Sequence, residues 1–216
     1  MRGIQKLRAL SQIFSPSMFQ KIVREDNFVL FEKQIGKYLT PTLYETNLDI
    51  IKYLYKSLQK QYRCEYIYKN KLIIDIIKTH SLESTLTFNE LKVGSSKADL
   101  VMLNGSVRVY EIKTELDGLD KLEKQIKDYK KFGNEVHIVT DEKYAKKLYD
   151  EYKKTSVGII ALNNKNKLET VKEASSNESC FDFDTIFKIL RKQEYLDLVA
   201  DNFSSIPDVP NTKIFI

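Results

Sequence analysis

The chain predicts an α/β protein with a mixed sheet and an extra N-terminal helical layer. Three observations predict it. Apolar residues follow a mostly helical period over residues 1–80. Near residue 85 the period switches to two, in three short runs rich in β-branched and aromatic residues. Beyond residue 115 helical and strand-like segments alternate, which requires crossover connections and some parallel pairing.

The elements follow in order. Ile4, Leu7, Leu10 and Ile13 fall at helical spacing, and Ser15-Pro16 ends that segment. After Thr46-Asn47, residues 48–62 keep the helical period behind capping residue types. Residues 62–80 continue as one long helix or two abutting ones. Residues 85–93, 98–104 and 106–114 read as strands of an antiparallel meander. Gly94-Ser95-Ser96 separates the first two, and Asn104-Gly105 is read as a two-residue hairpin turn between the second and third. Residues 119–132 form a charged amphipathic helix closed by Gly133. A buried-type strand over 135–140, a helix over 141–154 and a strand over 157–162 come next. Residues 163–167 read as a turn, 172–179 as a polar loop, and 181–203 as a last helical segment. The order is helix, three antiparallel strands, helix, strand, then helix and strand. Residues 1–60 are the N-terminal helical segment, 61–172 the core, and 173–216 a C-terminal helical segment and tail.

Composition narrows the functional classes. The net charge of +5 over 216 residues is mild and favours a polyanionic partner only slightly. Cys64 and Cys180 stand far apart, which excludes a Cys-rich zinc site and gives no disulfide framework. No apolar stretch approaches the roughly 20 residues of a membrane span. The basic, amphipathic start of the chain lacks the core of a signal peptide. A soluble, cytoplasmic protein without membrane association is expected.

Asp99 stands twelve residues before Glu111-Ile112-Lys113. The hairpin between them brings Asp99 and Glu111 side by side. Glu111 and Lys113 share one strand face, opposite Arg108 and Tyr110. In the middle of a sheet, a carboxylate and a lysine need each other or a metal. Two carboxylates with an ammonium two residues on suit a Mg²⁺ or Mn²⁺ site beside a positive charge. On the next helix Gln125 and Tyr129 lie four residues apart, on the border of the side marked by Leu119, Leu122 and Ile126. Lys124, Lys127, Lys130 and Lys131 point outward. Glu65 and Glu90 are the two places from which a third carboxylate can reach the site. Their plainer readings are an ion pair with Lys69 for Glu65 and an exposed strand face for Glu90. His80 and His137 have no ligand partner at useful spacing and read as structural.

The pattern Asp99, Glu111-Ile112-Lys113, then Gln125 and Tyr129 resembles the PD-(D/E)XK nuclease superfamily over roughly residues 60–142. Ala98 stands where that superfamily's namesake pattern has proline. The wording of residues 62–70, 88–105, 109–129 and 190–196 resembles a branch of small bacterial proteins found in mobile or phage-related contexts. The resemblance implies a restriction-endonuclease-like mixed sheet and metal-dependent hydrolysis of phosphodiesters, most naturally DNA. Asp99, Glu111 and the backbone carbonyl of Ile112 would hold the Mg²⁺ or Mn²⁺ ion, with Glu65 or Glu90, but not both, completing it. Lys113 would orient the attacking water, and Gln125 and Tyr129 would position the nucleic-acid backbone. Phage defence or mobile-element maintenance is the implied setting. Two other readings stand beside it. One is a catalytically silent module of the same fold that binds nucleic acid or a partner. The other is a toxin or effector that acts only with a partner. The apolar stretch at the end of 211–216 is suited to pairing, with a second copy as homodimer or with a partner protein.

Overall fold

The computed structural model describes residues 2–40 and 43–203. Helices α1 (Arg2–Ser11), α2 (Pro16–Arg24), α3 (Val29–Tyr38), α4 (Asn47–Gln61) and α5 (Glu65–Thr79) precede the first strand. Local chemistry sets their limits. Ser15 caps α2, accepting from the Met18 N–H, and Pro16 occupies the first turn. Thr46 and Asp49 form a reciprocal capping box at the start of α4. The segment 62–80 resolves into a break at 62–64 followed by α5.

The strands are β1 (Leu86–Val93), β2 (Ser96–Leu103), β3 (Val107–Lys113), β4 (Glu135–Asp141), β5 (Gly158–Leu162) and β6 (Leu168–Lys172). Among the described residues they form one six-stranded sheet in sequential order. β1, β2 and β3 are the expected antiparallel meander, while β3, β4 and β5 run parallel. Helix α6 (Leu122–Lys130) joins β3 to β4, and α7 (Glu142–Tyr152) joins β4 to β5. Both cross over on one face of the sheet, as successive right-handed crossovers to adjacent strands require. Helices α8 (Phe183–Phe187) and α9 (Lys192–Asn202) follow β6.

The sheet separates two apolar cores. Leu100, Met102, Tyr110, Ile112, Val139 and Leu162 pack against α1–α5. Val101, Val109, Val136, Ile138 and Ile159 pack against α6 and α7 through Leu122, Ile126, Tyr129, Leu148 and Tyr152. The result is three layers, with the N-terminal helices as one outer layer.

Some expectations change. β6 pairs antiparallel with β5 through a turn at 163–167, and its five residues had no strand assignment from sequence. Leu168-Glu169-Thr170-Val171-Lys172 is short, and its middle three residues are exposed, so a periodicity reading passes over it. The Asn104-Gly105 turn is a three-residue loop, because Leu103 pairs with Val107. Gly105 takes the left-handed conformation there, with φ 66°. Gly94-Ser95 is the true two-residue turn, closed by Val93 and Ser96. Gly94 has φ 60°, a left-handed conformation that favours glycine, and a Cβ there would press on the Asp128 carboxyl at 3.2 Å. The final helical segment divides into α8 and α9. The apolar end within 211–216, expected to pair with a second subunit, lies outside the described residues. No helix among the described residues is long and apolar enough to cross a membrane.

Candidate functional site

Glu111 sits on β3, facing α6, and is 1% exposed. It shares that face with Val109 and Lys113, by the two-residue period of a strand. Glu111 Oε1 accepts from Lys113 Nζ at 2.8 Å and from Gln125 Nε2 at 2.5 Å. Oε2 accepts from the Tyr129 hydroxyl at 2.7 Å. Helix α6 supplies Gln125 and Tyr129 because residues four apart share a helix face. Tyr129 is fully buried, Gln125 half-buried. The residue before Tyr129 on that helix, Asp128, turns to the β1–β2 hairpin and accepts from the Ser95 N–H and from both serine hydroxyls, Ser95 and Ser96. A single turn of α6 therefore holds the buried carboxylate with one side chain and the hairpin with its neighbour.

Asp99 approaches the same strand differently. The β1–β2 register runs Asn89 with Leu100, then Leu91 with Ala98, skipping the Glu90 and Asp99 pair. Glu90 there has φ 58°, a left-handed conformation that costs a glutamate about 1–3 kcal/mol. β2 and β3 also part at this point, since their pairing begins at Leu100 with Tyr110. The Asp99 carboxylate fills the gap and accepts from the Ile112 N–H at 2.7 Å. Ile112 thus enters the site through its N–H. Carrying the register on by one residue places Asp99 opposite Glu111.

Burial and the nearby Glu111 charge push the Asp99 carboxyl up, against the lowering effect of the Ile112 N–H. Burial also raises Glu111, opposed by its bonds to Lys113, Tyr129 and Gln125. Burial and the Glu111 charge raise the Tyr129 phenol as well, so it stays protonated and available as a donor.

Glu65 on α5 and Glu90 on β1 both come to Asp99. One carboxylate oxygen from each of the three lies within 4.8 Å of the others. This corrects the expectation that only one of the two glutamates reaches the cluster. Glu111, expected at the centre of a metal site, is outside that group. The three acids are also not left bare. Lys69 Nζ lies 2.9 Å from Glu65 and 3.4 Å from Glu90, and Lys97 Nζ lies 2.5 Å from Glu90. The ion pair of Glu65 with Lys69 is the plainer reading of that spacing. An Mg²⁺ or Mn²⁺ ion would have to displace the Lys69 ammonium and compete with three donors on Glu111. As arranged, the residues fit a neutralised polar network better than a cation cage.

Of the cations in this cluster, sequence reasoning named Lys69 beside Glu65 but passed over Lys97 and one buried network. Lys97 carries no signal beyond its place before Ala98. Arg63, just before α5, forms an ion pair with Asp141 at the end of β4, and the Tyr68 hydroxyl donates to the same carboxylate at 3.1 Å. Asp141 is 0% exposed. His137 lies within β4. It stacks on Tyr110 with ring centroids 5.0 Å apart and bonds Glu135 at 3.2 Å.

The family described as Bacteriophage P4 protein cII matches residues 58–213, well over half of the chain. A curated relative, Protein cII of Enterobacteria phage P4, is 29% identical over 114 residues. That stretch covers 52% of this chain and 43% of the relative, so the match spans less than half of the relative's length. No solved structure matches the chain. These matches overturn the expectation of a metal-dependent nuclease, because the matching family is that of a phage protein cII and not a nuclease family. Of the expected setting, the phage connection is what remains. The chain belongs to the Bacteriophage P4 protein cII family.

Proposed function

We propose that the protein binds nucleic acid without cleaving it, in a regulatory role, on an α/β frame of the restriction-endonuclease-like kind. The observation that carries this reading is the outer face of α6 and α7. These helices lie side by side on the sheet, their apolar sides turned inward. Exposed on the other side are Lys121, Lys124, Lys127, Lys146, Lys147, Lys153 and Lys154. Among the described residues, Lys127 pairs with Glu123 and Lys153 with Asp150, while the other five have no ion-pair partner. Lysines spread over a convex face suit phosphate contacts that are numerous, individually weak and indifferent to sequence. Binding without turnover accords with the acidic side chains. Glu111 is held by three donors, and Glu65 and Glu90 by Lys69 and Lys97.

The test is fluorescence anisotropy of labelled duplex DNA, single-stranded DNA and RNA at low salt, with EDTA and with Mg²⁺. Binding to at least one polymer in EDTA, with no cleavage in Mg²⁺, is expected. The substitutions Lys124→Glu and Lys146→Glu together should weaken it. No binding to any of the three at low salt would sink the reading, as would binding indifferent to both substitutions.

A further inference from the structure

A cavity lies away from the acidic cluster. It occupies about 500 Å³ beyond the carboxyl ends of the parallel strands. Glu115 follows β3, Lys143 opens the first turn of α7 after β4, and Asn166 belongs to the turn after β5. The C-terminal half of α4 closes the other side with Lys56 and Lys60, and Arg63 lies behind them. The volume falls within the range of about 300–1,000 Å³ found for small-molecule sites.

The charges of the cavity are unevenly satisfied. Lys143 Nζ pairs with Glu115 at 2.6 Å. Arg63 is fixed by Asp141 and donates to the Asn163 carbonyl at 2.9 Å. Glu142, next to Lys143, is taken by the Asn164 side-chain and backbone N–H groups. Lys56 and Lys60 remain. Among the described residues neither has an ion-pair partner, and four residues apart on α4 they repel each other. An anion between them would relieve that repulsion. Asn166 adds a second requirement. Its Oδ1 is closed off from solvent with no hydrogen-bond partner, so turning the side chain into the cavity toward a ligand's hydroxyl or amine would satisfy it.

We propose that this cavity binds a small phosphorylated ligand of nucleotide size. Its phosphate sits on Lys56 and Lys60, and a hydroxyl or amine donates to Asn166. The Arg63–Asp141 pair serves as the rigid wall that joins α5 to β4 behind the ligand. The site takes Lys143 from the first turn of α7 but none of the seven lysines assigned to the nucleic-acid surface.

Isothermal titration of the full chain with inorganic pyrophosphate, with AMP and with a short single-stranded oligonucleotide tests this. The variants are Lys56→Glu with Lys60→Glu, and Lys56→Arg with Lys60→Arg. Both positions are exposed, so the fold should survive, and circular dichroism melts check that it does. AMP should bind wild type more tightly than pyrophosphate, because its ribose hydroxyls and base amine can reach Asn166 while its phosphate stays on the lysines. The glutamate pair should weaken both by about tenfold or more, the arginine pair should retain them, and oligonucleotide affinity should stay unchanged. Wild type that binds neither small probe overturns the proposal, as does a folded glutamate pair that binds AMP like wild type. A glutamate pair that loses only oligonucleotide affinity also overturns it, since the cavity would then be part of the nucleic-acid surface. That last outcome leaves the proposed function intact, so the two readings fail separately.

Discussion

The Tyr129 hydroxyl lies 2.7 Å from Glu111 Oε2 and 2.8 Å from the carbonyl oxygen of Lys97. It has one hydrogen and two acceptors. When Glu111 is ionised, one acceptor goes without that hydrogen. When Glu111 is protonated, it can donate to the Tyr129 oxygen while Tyr129 donates to Lys97. The same contact thus ties α6 to both β2 and β3 and links the tie to the charge on Glu111.

Tyr129→Phe removes that hydroxyl and keeps the ring. The Lys97 carbonyl and one oxygen of a buried carboxylate then lose a donor. The expected loss is about 1–3 kcal/mol of unfolding free energy, the range for stranding a buried polar group. Urea denaturation of wild type and variant measures it. A difference below about 0.5 kcal/mol, the scatter of ordinary surface substitutions, would mean that water takes the place of the hydroxyl.

Asp99 and Glu111 predict a pH dependence of stability. Both carboxyls sit above their ordinary values, Asp99 pushed up to about 7 by burial and by Glu111. Between the ordinary value near 4 and the raised one, the native state holds more protons than the unfolded chain. Stability from this pair is therefore full below about pH 4 and is lost as the pH rises through the folded values. Glu90, Asp128 and Glu135 shift downward and so act at lower pH. Burial holds His137 down, so it adds stability with rising pH, up to about 6.5. The comparison is accordingly between wild type and Asp99→Asn, which keeps an acceptor for the Ile112 N–H. Wild type should lose more stability than the variant between about pH 5.5 and about pH 8. Parallel urea midpoints for the two proteins would show that Asp99 does not carry the effect.

Much of the frame was legible because its signals are local. The switch from helical to alternating period near residue 85, the glycines of two turns and the helix and strand alternation after residue 115 all lie in short windows. The contacts of Glu111 with Lys113, Gln125 and Tyr129 were also within reach, since strand and helix periods fix which side chains share a face. What pattern alone did not give was partnership over distance. Lys97 meets Glu90 across the β1–β2 hairpin, and Lys69 meets it only because β1 and α5 are adjacent in space. Arg63 and Asp141 are 78 residues apart in the chain, and nothing near either announces the other. An Asp, a Glu and a Lys at the right spacing look alike whether they hold a cation or one another. What separates the two cases is the full set of neutralising partners, and those of Glu90 come from other elements, Lys69 from α5 and Lys97 from β2.

Arg63 and Asp141 allow a direct measurement of such a distant pair. Arg63→Met leaves a fully buried carboxylate with only the Tyr68 hydroxyl and the Lys143 N–H of its former partners. The expected destabilisation is about 3–5 kcal/mol, the usual result of orphaning one member of a buried ion pair. Adding Asp141→Asn removes the stranded charge and should recover part of the loss, because the amide oxygen still accepts from Lys143. The double-mutant cycle by urea denaturation gives the coupling. Additive losses would show that the two side chains are near each other without depending on each other.

The lysine face of α6 and α7 predicts how salt should act on nucleic-acid affinity. Each lysine that neutralises a phosphate releases a counterion, so the logarithm of the affinity should fall linearly with the logarithm of salt concentration. Each lost contact reduces the slope by about 0.9 on duplex DNA and about 0.7 on a single strand. Lys124→Gln and Lys146→Gln together remove two charges without introducing repulsion, and both residues are exposed, so stability should change little. The slope of this pair should be shallower than wild type by about 1.4 to 1.8, according to the strand state of the polymer. Lys52→Gln with Lys78→Gln is the control. These two are exposed on α4 and α5, on the opposite side of the sheet, and the slope should stay at the wild-type value. Anisotropy titrations across a salt series measure all three proteins. Equal slopes for the two double variants would move the nucleic-acid surface off α6 and α7, and a shallower slope for the control alone would place it on the N-terminal helical layer.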